Sequence, residues 1–278
     1  MIMLLKKIKI TPKWLKSPAG ITTIICIVIG VVLFLIANGI SSNLLMNISS
    51  VLISLSASLF SIIATVTFVQ FYLNKQQMSD VKKEENRNII KYNNYVQLLL
   101  SWYTIAFNQL LTPIAEIQGM NNDKLKESFN VSDLCEANFN SMLLKNGFNE
   151  SRIKVFFEIE NKVNSAFAKM LETITIEHNC KLYRLIIEFL TVSISYNSQD
   201  ALETNYKYMY KGQDALSKTR EWIQKDADDF YKNRFNTDNA SNMLSAYCFL
   251  YELMIKEKRI INEYVEQIRT IEKELLET

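Results

Sequence analysis

"VLISLSASLFSIIATVTFVQFYL", residues 51–73, lies between an uncharged segment and a stretch dense in charge. At 1.5 Å per residue it forms a helix of about 35 Å, enough to cross the hydrocarbon core of a bilayer. Ser54, Ser58, Ser61 and Thr65 recur in it at intervals of four, three and four. On a helix these side chains fall within about 60° of one another, and Ser50 extends the row. Two readings stay open. Small residues let membrane helices approach closely, with hydroxyls bonded to their own backbone or across the contact. The same row, contributed by several copies, would line a path for water and ions.

Outward from this stretch, no Asp, Glu, Lys, Arg or His occurs between Ser17 and Asn74, and no acidic residue before Asp80. "GITTIICIVIGVVLFLIANG", 20–39, is a second apolar segment of about 30 Å as a helix. Its apolar core is longer than a signal-peptide core and "LIANG" is a poor cleavage site, so an uncleaved span is expected. Thr23, Cys26, Gly30 and Ala37 share one small-residue face. The uncharged link over 40–50 is short enough to join only antiparallel neighbours. Five lysines (Lys6, Lys7, Lys9, Lys13, Lys16) precede the first segment, and Lys75, Lys82, Lys83, Arg87 and Lys91 follow the second. Basic flanks stay on the cytoplasmic side, which puts both termini there. The absence of intramembrane charge argues against a proton relay or carboxylate ion site.

Residues 75–278 carry 29 acidic and 26 basic residues, a net charge of −3. No extensive basic nucleic-acid-binding surface is therefore expected, which leaves room for a local basic pocket that takes a small anion. Cys26, Cys135, Cys180 and Cys248 form no paired motif and suit free thiols in a reducing compartment. No Gly or Pro interrupts the chain between Gly39 and Pro113, so the second segment continues as one helix or restarts near Asn93 or Asn94. Tyr95–Leu111 reads as a buried core helix. Beyond it the apolar periodicity predicts helices from Ser132 to Gly147, from an Asn149 cap through Ile174, over Lys181–Tyr196, from a Ser198 cap to Phe235, and from Asp238 onward. In the last, Ile261, Tyr264, Ile268, Ile271 and Leu275 form a three-four seam of the kind that meets a coiled-coil partner.

The expected fold is all-α. A basic cytoplasmic arm (1–19) precedes a two-helix transmembrane hairpin over 20–73, with spans at about 20–39 and 51–73. A cytosolic helical bundle with a coiled-coil-like C-terminal helix occupies 74–278. Signals for chemistry are mostly missing: no phosphate-binding glycine loop, no clustered metal ligands, and a single histidine, His178. Glu158 and Glu160 read as a solvated helix face. In "NYKYMYKG", 205–212, Tyr206 and Tyr210 share a face beside Lys207 and Lys211, a pattern able to stack a base and neutralise a phosphate, or simply to pack a bundle. An enzyme is not expected, nor a cofactor.

This layout, with its uncharged 17–74 region and its serine row, resembles the two-transmembrane effectors of bacterial anti-phage defence systems. The resemblance is one of arrangement over the whole chain and carries no diagnostic motif. It implies a homo-oligomer in the bacterial inner membrane whose hairpin forms an ion-conducting pore or disrupts the bilayer. A cytosolic domain would respond to a nucleotide, nucleic-acid or protein signal. The alternative is a membrane-tethered adaptor or scaffold that binds a protein partner and forms no pore.

Overall fold

The computed structural model describes residues 18–39, 46–120, 122–141, 150–209, 215–237 and 243–277, leaving aside the side chains of 18–23, 37–39, 46–49 and 205–209. The chain is all-α. Helix α1 is Pro18–Gly39, α2 Met46–Leu111, α3 Arg152–Thr173, α4 Cys180–Ser195, α5 Gln199–Met209, α6 Ala215–Asn233 and α7 Met243–Leu276. Two 3-10 turns, Ile114–Gly119 and Val131–Glu136, link α2 to α3. The strand-like pairing among the described residues is one isolated bridge, Asn140–Ser151.

α2 runs unbroken for 66 residues, so no restart occurs near Asn93. The expected Asn149 cap and Asp238 opening lie outside the described residues. Ser151 instead caps α3, accepting the Lys154 N–H at 3.3 Å. From Ser132 the chain forms the short Val131–Glu136 turn, and 142–149 are outside the described residues. Where one helix from Ser198 to Phe235 is expected, α5 and α6 stand as separate helices.

The chain divides into two compact units between Val81 and Lys82. In the first, α1 and the start of α2 are apolar around nearly their whole circumference, with Leu35, Phe68 and Phe71 more than half exposed. Among the described residues, Ser50–Leu111 contains a stretch long and apolar enough to cross a membrane, and Ile24–Ile36 is a shorter apolar segment. The two helices touch where α1 has no side chain. A Cβ built on buried Gly30 would stand 3.4 Å from the Phe60 ring.

The second unit is a bundle of the end of α2 with α3–α7. Tyr103, Phe107, Phe156, Phe167, Phe189 and Tyr264 stack edge-on or tilted through its centre, with ring centroids 5.1–6.4 Å apart. Apolar burial of this kind is the main favourable term in folding. The α7 seam belongs to this core. Ile261, Tyr264, Ile268 and Ile271 are at most 5% exposed, and Tyr264 packs on Phe167 while donating to Asn93 Oδ1 at 2.8 Å. The expected partner face of the last helix therefore faces its own chain, because intrachain and interchain helix packing impose the same spacing.

Candidate functional site

On α2 the residues turned toward α1 are not the serine row. Ser56 is buried, Leu52, Leu59 and Ile63 are half-buried, and Ser56 lines an apolar crevice with Val31, Phe34, Ile53, Ala57 and Phe60. Ser54, Ser58, Ser61 and Thr65 each stand two residues from a member of that face, about 200° away on the helix, and all are exposed, as is Ser50. Packing inside the α1–α2 pair is thus not what the row does. Its hydroxyls bond within the helix: Ser58 donates to Ser54 O and Thr65 to Ser61 O, both at 2.9 Å. Such back-bonding satisfies a hydroxyl in apolar surroundings.

The side chains of the tyrosine–lysine cluster lie outside the described residues: Tyr206 and Lys207 belong to α5 by their backbone, and Tyr210 and Lys211 are outside altogether. Among the described residues no group of acidic, His or Cys side chains is arranged to hold a metal ion. An open cleft of about 670 Å³ beside the end of α2 is lined by Asn108, Thr112, Lys124 and Lys126 among others. Asn108 braces it, bonding Lys124 O at 2.8 Å and Lys126 N at 3.0 Å. All four cysteines are free, and burial pushes the Cys248 thiol up to about 12, which leaves it inert.

Three buried charge clusters escape the sequence reading. The first tethers α2 to α4. Glu85 accepts the backbone N–H groups of Glu177, His178 and Asn179 at 3.0–3.1 Å, together with Asn179 Nδ2 and His178 Nδ1 at 2.8 Å. Burial pushes this carboxyl up, but the bonds from His178 and Asn179 outweigh it and hold the carboxyl below its ordinary range. A carboxylate on a helix N-terminus also meets the positive end of the helix dipole. His178 is thereby a structural partner.

The second cluster closes the far end of α2. Arg152, 1% exposed, donates from Nη1 to Gln109 O at 2.7 Å and Thr112 O at 2.8 Å, carbonyls that the helix leaves unpaired. Glu136 lies 4.0 Å from this guanidinium, accepts the Ile114 N–H at 2.7 Å and pairs with Arg220 at 3.0 Å.

The third is a pair of carboxyls, Glu160 of α3 and Glu257 of α7, which are 1% and 0% exposed. Tyr103 donates to Glu257 Oε2 at 2.5 Å, while Ser193 and Asn164 donate to Glu160 Oε1. Glu257 Oε1 has no donor among the described residues, and no Lys, Arg or His there balances either charge. Burial, and then the neighbouring Glu160, push the Glu257 carboxyl well above its ordinary range; burial also raises Glu160. Two carboxylates cannot both ionise in such a site, so the pair keeps a proton. Glu160 is thus a core residue and no part of a solvated face.

No family model, no curated protein and no solved structure matches this chain.

Proposed function

We propose that this chain is a homo-oligomeric membrane effector. α1 and the apolar part of α2 form a two-span hairpin in the bacterial inner membrane, with both termini cytoplasmic. The hairpin forms an ion-conducting pore or disrupts the bilayer under control of the helical unit, in anti-phage defence. It acts without catalysis, and the helical unit responds to a nucleotide, nucleic-acid or protein signal. The outward serine row carries this reading: Ser54, Ser58, Ser61 and Thr65 are exposed on the side of α2 turned from α1, on an otherwise apolar helix. Rows of hydroxyls brought together from several copies can wet a path that aliphatic side chains would keep dry.

The second reading is an adaptor whose serine row only packs helices between copies; the bonds from Ser58 and Thr65 to their own backbone favour it. Ser58→Leu separates the two. In a pore it abolishes ion flux from liposomes while native mass spectrometry still finds the assembly, because a bulky apolar side chain narrows and dewets the path. In a packed contact it breaks the assembly. Wild-type protein that assembles in liposomes, yet passes no ions with its activating signal supplied, refutes the pore.

A further inference from the structure

With the α7 seam consumed by the core, a different face in the helical unit is left for a partner. From Tyr92 to Ala115 the chain carries no charged residue and no histidine. One side of α2 in this stretch packs into the bundle; the other exposes Tyr95, Leu98 and Trp102 at 53%, 57% and 48%, with Ile105 half-buried beyond them. Their spacing of three, four and three is that of a seam between two helices. The polar residues beside it, Asn94, Gln97 and Ser101, are neutral. The Tyr95 ring stands edge-on to Tyr92 at 6.3 Å, so the large side chain at the head of the seam is already positioned. Exposed aromatic residues with charge depleted around them mark the centre of a protein interface.

We infer that this face pairs with the same face of a second copy of the chain. Neutrality selects that occupant. In a two-fold pair each residue near the axis meets its own copy, so a charged face would repel itself, whereas the stretch from Tyr92 to Ala115 brings no like charges together. The other exposed apolar row, Tyr183, Ile187 and Ile194 on α4, runs beside Lys181, Arg184 and Glu188 and lacks this property. Copies anchored in one membrane share an orientation, so the pair is parallel, with Leu98 against Leu98 and the seam ending at Lys91. This parallel arrangement rests on the membrane anchoring proposed above.

The test uses the full chain in membranes, with exposed Cys180 replaced by Ser. Leu98→Cys should give a covalent dimer on mild oxidation, and Ile194→Cys, 81% exposed on α4, should not. Trp102→Asp should remove the dimer seen by native mass spectrometry in nanodiscs. No cross-link at Leu98, or equal cross-linking at both positions, overturns the pairing. So does an unchanged assembly in Trp102→Asp, which would leave the face to lipid or to another protein. Dimers that pass no ions would sink the pore and leave this pairing standing. Ion flux with an unaffected Trp102→Asp assembly would do the reverse.

Discussion

Replacing Glu257 by Gln should change how the stability of the bundle depends on pH. The wild-type pair retains a proton that the unfolded chain releases above the ordinary glutamate value of about 4.3. Between that value and the raised folded one, the native state binds one more proton than the unfolded state. Its stability therefore falls as pH rises, by about 1.4 kcal/mol per pH unit. A glutamine at 257 donates an amide N–H toward Glu160 and accepts from Tyr103 through its oxygen, supplying permanently what the shared proton supplies. Its contribution has no slope. From pH 6 to pH 8 the advantage of the Gln protein over wild type should grow by up to about 3 kcal/mol while the folded carboxyl stays protonated. Amide hydrogen exchange of Leu253–Tyr264 in the full chain, corrected for intrinsic rates, measures this opening free energy at each pH. All ionisable groups other than residue 257 are common to both proteins, so the difference isolates that position. Parallel profiles would show that the pair holds no proton in the folded state.

Arg152→Met should cost about 3–5 kcal/mol, since it strands the Gln109 and Thr112 carbonyls and leaves Glu136 without its buried partner; thermal unfolding of the full chain in detergent checks this. Glu85→Gln should lower stability by about 1–2 kcal/mol at neutral pH and flatten the acid limb. The depressed folded value means that wild type keeps this contribution above the ordinary carboxylate range and loses it as pH falls, so identical acid limbs would contradict the tether. Gly30→Leu should push Phe60 away and weaken the contact between α1 and α2, while Gly30→Ala should be nearly neutral. Cross-linking between cysteines placed on the two helices would show the difference.

The helical content was legible because charge vanishes abruptly between Ser17 and Asn74 and apolar residues elsewhere keep a period near 3.6. Continuity of α2 was half legible: missing Gly and Pro permit the 66-residue helix observed, but they equally permit a restart near Asn93. Partner choice was not legible at all. Ile261, Tyr264, Ile268 and Ile271 have the spacing of a seam whichever surface they meet, and Ser54 and Ser56 look alike in composition although they lie on opposite sides of the helix. Glu160 and Glu257 stand 97 positions apart, each among charged neighbours, as solvated glutamates also do. Recognising them as a pair needs two helices brought side by side, and no local pattern encodes that. The exposed Tyr95–Trp102 face had a signal, the uncharged run around it, but the same run suits a buried helix.

The partners that close the core around α2 are made long after α2 itself. Tyr103 bonds Glu257, 154 positions later; Asn93 receives the Tyr264 hydroxyl 171 later; and Asn86 reaches Glu274 after 188. At roughly 5–20 residues per second a ribosome needs on the order of ten seconds or more between Leu111 and Leu276. Throughout that interval the apolar segments are already out, while the inward face of α2 waits uncovered. A nascent chain of this design exposes its apolar segments early and closes its core much later. Removing the chain from Glu257 onward would take away all three partners at once and leave the inward face of α2 uncovered.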